Sequence, residues 1–194
     1  MSDSWPTKRM YEALGFLNSA VKQLKNPQKV KLKFVGNLIS RLAINFKWKV
    51  KAEFTGFINN RNEFLKKLSE AHIGINFAFK LGGTNVRKYD YALAGLVVLS
   101  NPYGCRGEPL PYEYCFLDPA DLATKISALK NEKVEEMGLK NQENVLELYR
   151  RSYKNLKEKL KNYEIAVKIE GPSAKRISDM IEILIKNEKN IKRI

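Results

Sequence analysis

The chain has 194 residues, 44% hydrophobic and 29% charged, a balance that suits one ordinary folded domain with an appendage and excludes a disordered polymer. No apolar run approaches the roughly 18 to 20 residues that span a bilayer, and the N-terminus has no basic-then-apolar leader, so the chain reads as cytoplasmic. A net charge of +14 points to anionic partners or substrates: nucleic acid, phospholipid headgroups or phosphorylated small molecules. Much of the lysine lies in the stretches 154–161 and 186–193, where it equally suits the solvated face of a helix. Cys105 and Cys115 match no zinc or redox spacing and read as free thiols. His72, the one histidine, leaves little with which to build an imidazole metal site or a Ser/His/Asp triad, and reads as structural.

In chain order, Met10, Leu14, Leu17, Ala20, Val21 and Leu24 fall at helical spacing over 7–24, with a stop at Asn26-Pro27. Lysines then alternate with apolar residues over 29–36, as in a half-covered strand, and Gly36 turns the chain into a short helix through Ile39, Leu42 and Ala43. Residues 50–55 form a second strand closed by Gly56. Asn59-Asn60 cap a helix over 63–71. The apolar run 73–79 reads as a strand covered on both faces. The loop Leu81-Gly82-Gly83-Thr84 opens a helix over 85–94 that Gly95 ends. A strand at 96–99 and a short one at 114–117 follow. Asp118-Pro119-Ala120-Asp121 is a helix-start signal, and the chain is helical from there to about 162. Pro172-Ser173 begins a last amphipathic helix carrying Ile177, Met180, Ile181, Ile183 and Leu184. Strands that alternate with helices predict an α/β fold, a mainly parallel sheet with helices on both faces.

The stretch 82–95 carries the chemistry. Two glycines after a buried strand let backbone approach a ligand, and the following helix aims its unpaired N–H groups there, an arrangement that suits phosphate. Arg87 sits in the first turn, where the helix dipole disfavours a cation unless an anion is close. Asp90 lies three residues on, and a carboxylate there can accept both hydroxyls of a ribose. A plain glycine turn with a surface Arg-Asp pair accounts for the same spacing.

The run from Gly82 to Ser100 resembles the donor-binding, C-terminal domain of GT-B fold, retaining glycosyltransferases of the group 1, family 4-like kind. In that family a Gly-Thr loop precedes a basic residue, an acidic one, Ala-Leu-Ala-Gly and a strand. Phe34-Val35-Gly36, Phe54-Thr55-Gly56-Phe57-Ile58, Asn101-Pro102-Tyr103-Gly104-Cys105-Arg106-Gly107 and Leu117-Asp118-Pro119-Ala120-Asp121-Leu122 match its other segments in order, over about 8–153. The resemblance implies a Rossmann-like domain at 1–150 and a helical extension at 151–194. It implies that Asp90 binds the donor ribose in place of the usual glutamate, and that the amides of Gly83, Thr84, Asn85 and Val86 meet the diphosphate. Arg87 joins that site. Lys8 is implied as a diphosphate cation, with Arg9 where the family has glycine, and Ile58 lies against the base.

Three departures accompany the likeness. Gly82 stands where relatives carry a sugar-contacting glutamate, Leu96-Val97 replaces the usual proline, and residues 1–7 cannot form the strand that precedes the Lys8 helix. That strand is central in the family's sheet, so a substitute from another segment or chain is expected. The activity implied is retaining transfer of a sugar from a nucleoside-diphosphate sugar, with no metal or cofactor required and no residue assigned to catalysis. An acceptor-binding domain would come from another segment or chain, and an anionic membrane or lipid-phosphate acceptor suits the charge. The alternatives are a non-catalytic interaction module on the same fold and a nucleic-acid-binding protein. The latter rests on charge alone, since no nucleic-acid-binding motif is present.

Overall fold

The structure, a computed structural model, describes residues 5–79, 85–129 and 131–162. Gly83, Thr84 and the expected last helix therefore lie outside the described residues. The chain divides into two compact units, 1–145 and 146–194, and all the described strands belong to the first.

Helix α1, Trp5–Lys22, buries Leu14, Leu17, Ala20 and Val21, the stripe expected of its spacing. Strand β1, Lys31–Phe34, starts two residues later than its lysine alternation suggests because Pro27–Lys29 coil into a 3-10 turn. Leu32 and Phe34 point into the core while Lys31 stays exposed. Helix α2 is Asn37–Ala43 and strand β2 is Lys51–Phe54. Gly36 and Gly56 bridge one another at the ends of β1 and β2; their φ values of 116° and 70° lie where a side chain would strain the turn.

Among the described residues, three helices begin on side-chain caps. Asn60 Oδ1 accepts from the amides of Asn62 and Glu63 at 2.8 and 3.2 Å, opening α3, Arg61–Ser69. Asn85 Oδ1 accepts from Arg87 N at 3.1 Å, opening α4, Val86–Leu93. Asp118 Oδ1 accepts from Asp121 N at 2.8 Å, opening α5, Pro119–Ala128. Each cap meets one or two of the amides that a helix start leaves unpaired.

Strand β3 is Ile73–Asn76, β4 is Val97–Ser100 and β5 is Glu113–Cys115. The apolar run continues to Phe79, but the strand stops at Asn76. Beyond it, Ala78 exchanges its N–H and C=O with the Asn101 side chain at 3.0 and 2.8 Å instead of with a strand. At the other edge, Leu117 N donates to Asp121 Oδ2 at 3.0 Å, which draws Leu117 out of β5 and into the start of α5.

Every pair is parallel: β1 with β2 in the register Lys31↔Lys51, β3 with β4 as Ile73↔Val97, and β4 with β5 as Val98↔Glu113. The fold is α/β, with the strands in two parallel sheets, β1-β2 and β3-β4-β5. One core cluster gathers Leu17 and Val21 of α1, Leu32 and Phe34 of β1, Leu99 of β4 and Leu122 of α5, with Ile73 and Ile75 of β3 against it. A second gathers Leu68, Ala94 and Leu96 with Val35, Phe64 and Tyr91. Helices thus cover both faces, and all four residues of β4 are buried, as the centre of an α/β layer requires.

Helix α6, Asn131–Asn162, anchors its first turns through Asn141. That buried side chain donates to Leu96 O and Tyr112 O at 3.0 Å each and accepts from Tyr112 N at 2.9 Å. Gln142 Nε2 adds a bond to Leu93 O at 2.6 Å. His72 leaves its ring exposed at the amino end of β3, with Nε2 3.9 Å from Glu135 Oε1.

Candidate functional site

The described strands run parallel within each sheet, and the Arg61–Asp90 pair sets the start of α3, after β2, beside the start of α4, after β3, so the loops at their carboxyl ends share one edge, the edge where open α/β sheets bind ligands. Helices α3 and α4 both begin there. A chain of buried polar groups holds the start of α4 against the strand ends. Asn85 Nδ2 donates to Asn76 Oδ1 at 3.2 Å, Asn76 Nδ2 to Ser100 Oγ at 3.1 Å, and Ser100 Oγ to Glu113 Oε1 at 2.9 Å. Glu113 Oε2 then accepts from Lys88 Nζ at 2.8 Å, and the same ammonium reaches Cys105 O at 3.1 Å.

Lys88 is fully buried, so its pairing with Glu113 is what makes a lysine tolerable on the inner face of α4. Asn101 Oδ1 accepts from Gly104 N at 3.0 Å, and Asn76 Nδ2 also meets Gly104 O at 3.3 Å. A Cβ on Gly104 would lie 2.8 Å from that Asn76 nitrogen. The loop after β4 is thereby tied to β3 and to the α4 cap. Burial, aided by the neighbouring Cys115 thiol, pushes the Cys105 thiol up to about 12.

Among the expected site residues, Asn85, Val86, Arg87 and Asp90 come together at the start of α4. Val86 is exposed. Arg87 has its N–H on the Asn85 cap, and its guanidinium donates to Phe77 O at 3.3 Å. The Asp90 carboxylate is mostly buried and pairs with the Arg61 guanidinium from α3, which also lies over the Phe64 ring at 5.5 Å. Spacing suggests an Arg87-Asp90 pair; the partner found is Arg61, from the neighbouring helix. Ile58 lies half-buried between β2 and α3, in a cleft of about 420 Å³ that Lys33, Phe54, Phe57 and Glu63 also line.

Lys8 is exposed on α1, and its neighbour Arg9 is the cation that reaches across. Arg9 donates to Phe79 O and lies 5.8 Å from the Phe79 ring centre, just ahead of the glycine loop. Arg9, Arg61 and Lys88 escape a reading by spacing, since their partners lie 70, 29 and 25 residues away. Lys88 alone leaves a trace in the sequence, falling four residues before buried Ala92 on one helical stripe.

Each strand is followed at this edge by an exposed apolar side chain: Leu38 after β1, Phe57 after β2, Val86 after β3, Tyr103 after β4 and Leu117 after β5. Phe57 and Leu117 are the most open, at 73% and 74%. No protein-family model, curated protein or solved structure matches this chain. No helix among the described residues is long and apolar enough to cross a membrane.

Proposed function

We propose that the chain binds the nucleoside-diphosphate part of a sugar donor at the start of α4 and serves as the donor half of a GT-B type glycosyltransferase. The observation that carries this reading is the placement of Asp90 one turn into a helix that opens beyond the carboxyl end of β3. A ribose beside that turn would exchange hydroxyl hydrogen bonds with Asp90, while the helix start and the arginines around it, Arg9, Arg61 and Arg87, would meet the diphosphate. Stabilising the departing diphosphate by helix dipoles and cations needs no metal ion. The apolar side chains after each strand support a second wall, an acceptor-binding domain from another segment or chain, because an exposed apolar set on one edge marks a surface that something covers. The basic balance of the chain suits an anionic acceptor, such as a lipid phosphate at a membrane surface.

A second reading has its own support. Asp90 is already engaged by Arg61, which is what a non-catalytic module keeping the fold would show. Titration calorimetry separates the two. With the donor reading, uridine or guanosine diphosphate binds at low salt with Kd of about 0.1–1 mM, a half-site value. Asp90→Ala then weakens nucleotide binding about tenfold or more, as loss of a charged hydrogen bond does, while inorganic phosphate binding changes little. Equal losses for both ligands would assign Asp90 to holding α3 against α4.

A further inference from the structure

We infer that Cys105 and Cys115 form a reversible dithiol site, which a small disulfide in solution oxidises to a bond between the loop after β4 and the end of β5. This inference stands independently of the sugar-transfer reading. The first observation is where the chain brings the two residues, the two cysteines of the whole sequence. Asn101 O accepts from Gly104 N at 2.7 Å and from Cys105 N at 3.2 Å, a turn that folds the loop back over the end of β4. The Cys105 thiol thereby comes to Ser100 O, at 3.8 Å. Ser100 is also the register partner of Cys115 in β5, and its carbonyl takes the next amide, Phe116 N, at 2.9 Å. Both cysteines are thus gathered at one residue, and their thiols are in hydrogen-bonding contact.

The second observation is the face on which they meet. Glu113 and Cys115 stand two residues apart on a strand and so project to the same side. On that side Glu113 accepts from Lys88 Nζ at 2.8 Å and from Ser100 Oγ at 2.9 Å, and the same ammonium holds Cys105 O at 3.1 Å. The buried Lys88 therefore fixes the backbone of Cys105 over the face that carries Cys115. A bond between the two sulfurs would close residues 105–115 into a ring and join β5 to a loop that is already tied to Asn76 and to α4.

The third observation is that the two thiols differ in access, which sets the order of events. Cys115 is exposed and Cys105 is half-buried, so an oxidant in solution meets Cys115 first. The Cys115 thiol gives its proton to water, and its sulfur attacks one sulfur of the small disulfide, oxidised glutathione for example. That S–S bond breaks, one glutathione leaves as a thiolate and takes up a proton, and Cys115 carries the other as a mixed disulfide. Cys105 then loses its proton to water and attacks the Cys115 sulfur, and the second glutathione leaves in the same way. Two cysteine thiols are oxidised, one small disulfide is reduced to two thiols, and no proton is consumed. Burial makes this second attack the slower one, but the part of the opposition to Cys105 ionisation that comes from the Cys115 thiol is gone once Cys115 is capped.

Intact-mass spectrometry on the full, reduced chain tests this, after incubation with oxidised glutathione and an alkylating quench that counts free thiols. The wild type should lose both thiols, retain no glutathione and stay a single chain, and excess reduced glutathione should restore both thiols. Cys105→Ser should stop at a stable mixed disulfide on Cys115, whereas Cys115→Ser, left with the half-buried thiol, should react at least about tenfold more slowly. Because the bond closes a short loop of the unfolded chain, the oxidised wild type should show a folding constant about 100-fold larger than the reduced one in urea titrations. A wild type that accumulates a stable mixed disulfide, or that links two chains in preference to closing the pair, would overturn the inference. So would a pair that closes only in urea, or single-cysteine variants that react at equal rates.

Discussion

Lys88 is the side chain on which the candidate site most depends, because its charge is buried and is met by Glu113 and one carbonyl. Removing it leaves Glu113, itself 7% exposed, as an unpaired carboxylate under the loop after β4. Lys88→Met should therefore lower unfolding free energy by about 3–5 kcal/mol, and adding Glu113→Gln should recover part of that loss in urea titrations. At the surface, Glu70 behaves differently. Hydrogen bonds from Lys33 and Lys67 hold its carboxyl down at about 2, against an ordinary 4.5. Because the folded value is depressed, the stabilisation from these pairs is complete above the ordinary value and is lost as pH falls through about 2. Carboxyl NMR titration should show that low midpoint, and Lys33→Met should move it back towards the ordinary range. Single residues were the least legible level of the sequence: Arg61 finds Asp90 from α3, a meeting of two helices that no local pattern encodes.

At the scale of elements the sequence was far more readable, for a physical reason: periodicity, caps and glycine stops act within a few residues. Asn60, Asn85 and Asp118 stand as caps where such residues are expected, and β1, β2, β4 and β5 fall within a residue or two of their expected runs, whereas β3 stops three residues short of its own. The exceptions have local causes that depend on distant partners, such as Asn101 replacing a strand at Ala78. Docking of α6 is another such case. A Cβ on Gly138 would lie 1.9 Å from Gly95 O, so this helix approaches the end of α4 at a distance only glycine allows. Gly138→Ala should destabilise the fold by about 1–3 kcal/mol through overpacking. Gly15→Ala on α1, where nothing lies within 4 Å, should be neutral or stabilising by up to about 1 kcal/mol. Loss of stability of the same size in both variants, measured by denaturant midpoints, would count against close docking.

For the molecule as a whole, the parallel course of all the strands sets the position of the site, because it collects the starts of α3 and α4 and the loops after β4 and β5 on one edge. The α/β class was legible from rhythm alone. The division of the layer into two sheets was not, since which strands pair is decided by long-range packing that composition does not record. The net charge of +14 adds a general attraction for anions, so binding of a phosphate-bearing ligand somewhere on the surface would prove little by itself. Location is what matters. The most direct measurement is a map of backbone amide shifts on the full chain, recorded with uridine diphosphate and with inorganic phosphate at matched ionic strength. The account predicts saturable shifts with the nucleotide at Asn85, Val86, Arg87 and Asp90 and at Ile58, with phosphate moving the first turn of α4 but not Asp90 or Ile58. Nucleotide shifts confined to the surface lysines, or centred on the amino edge near His72 and Glu135, would contradict it.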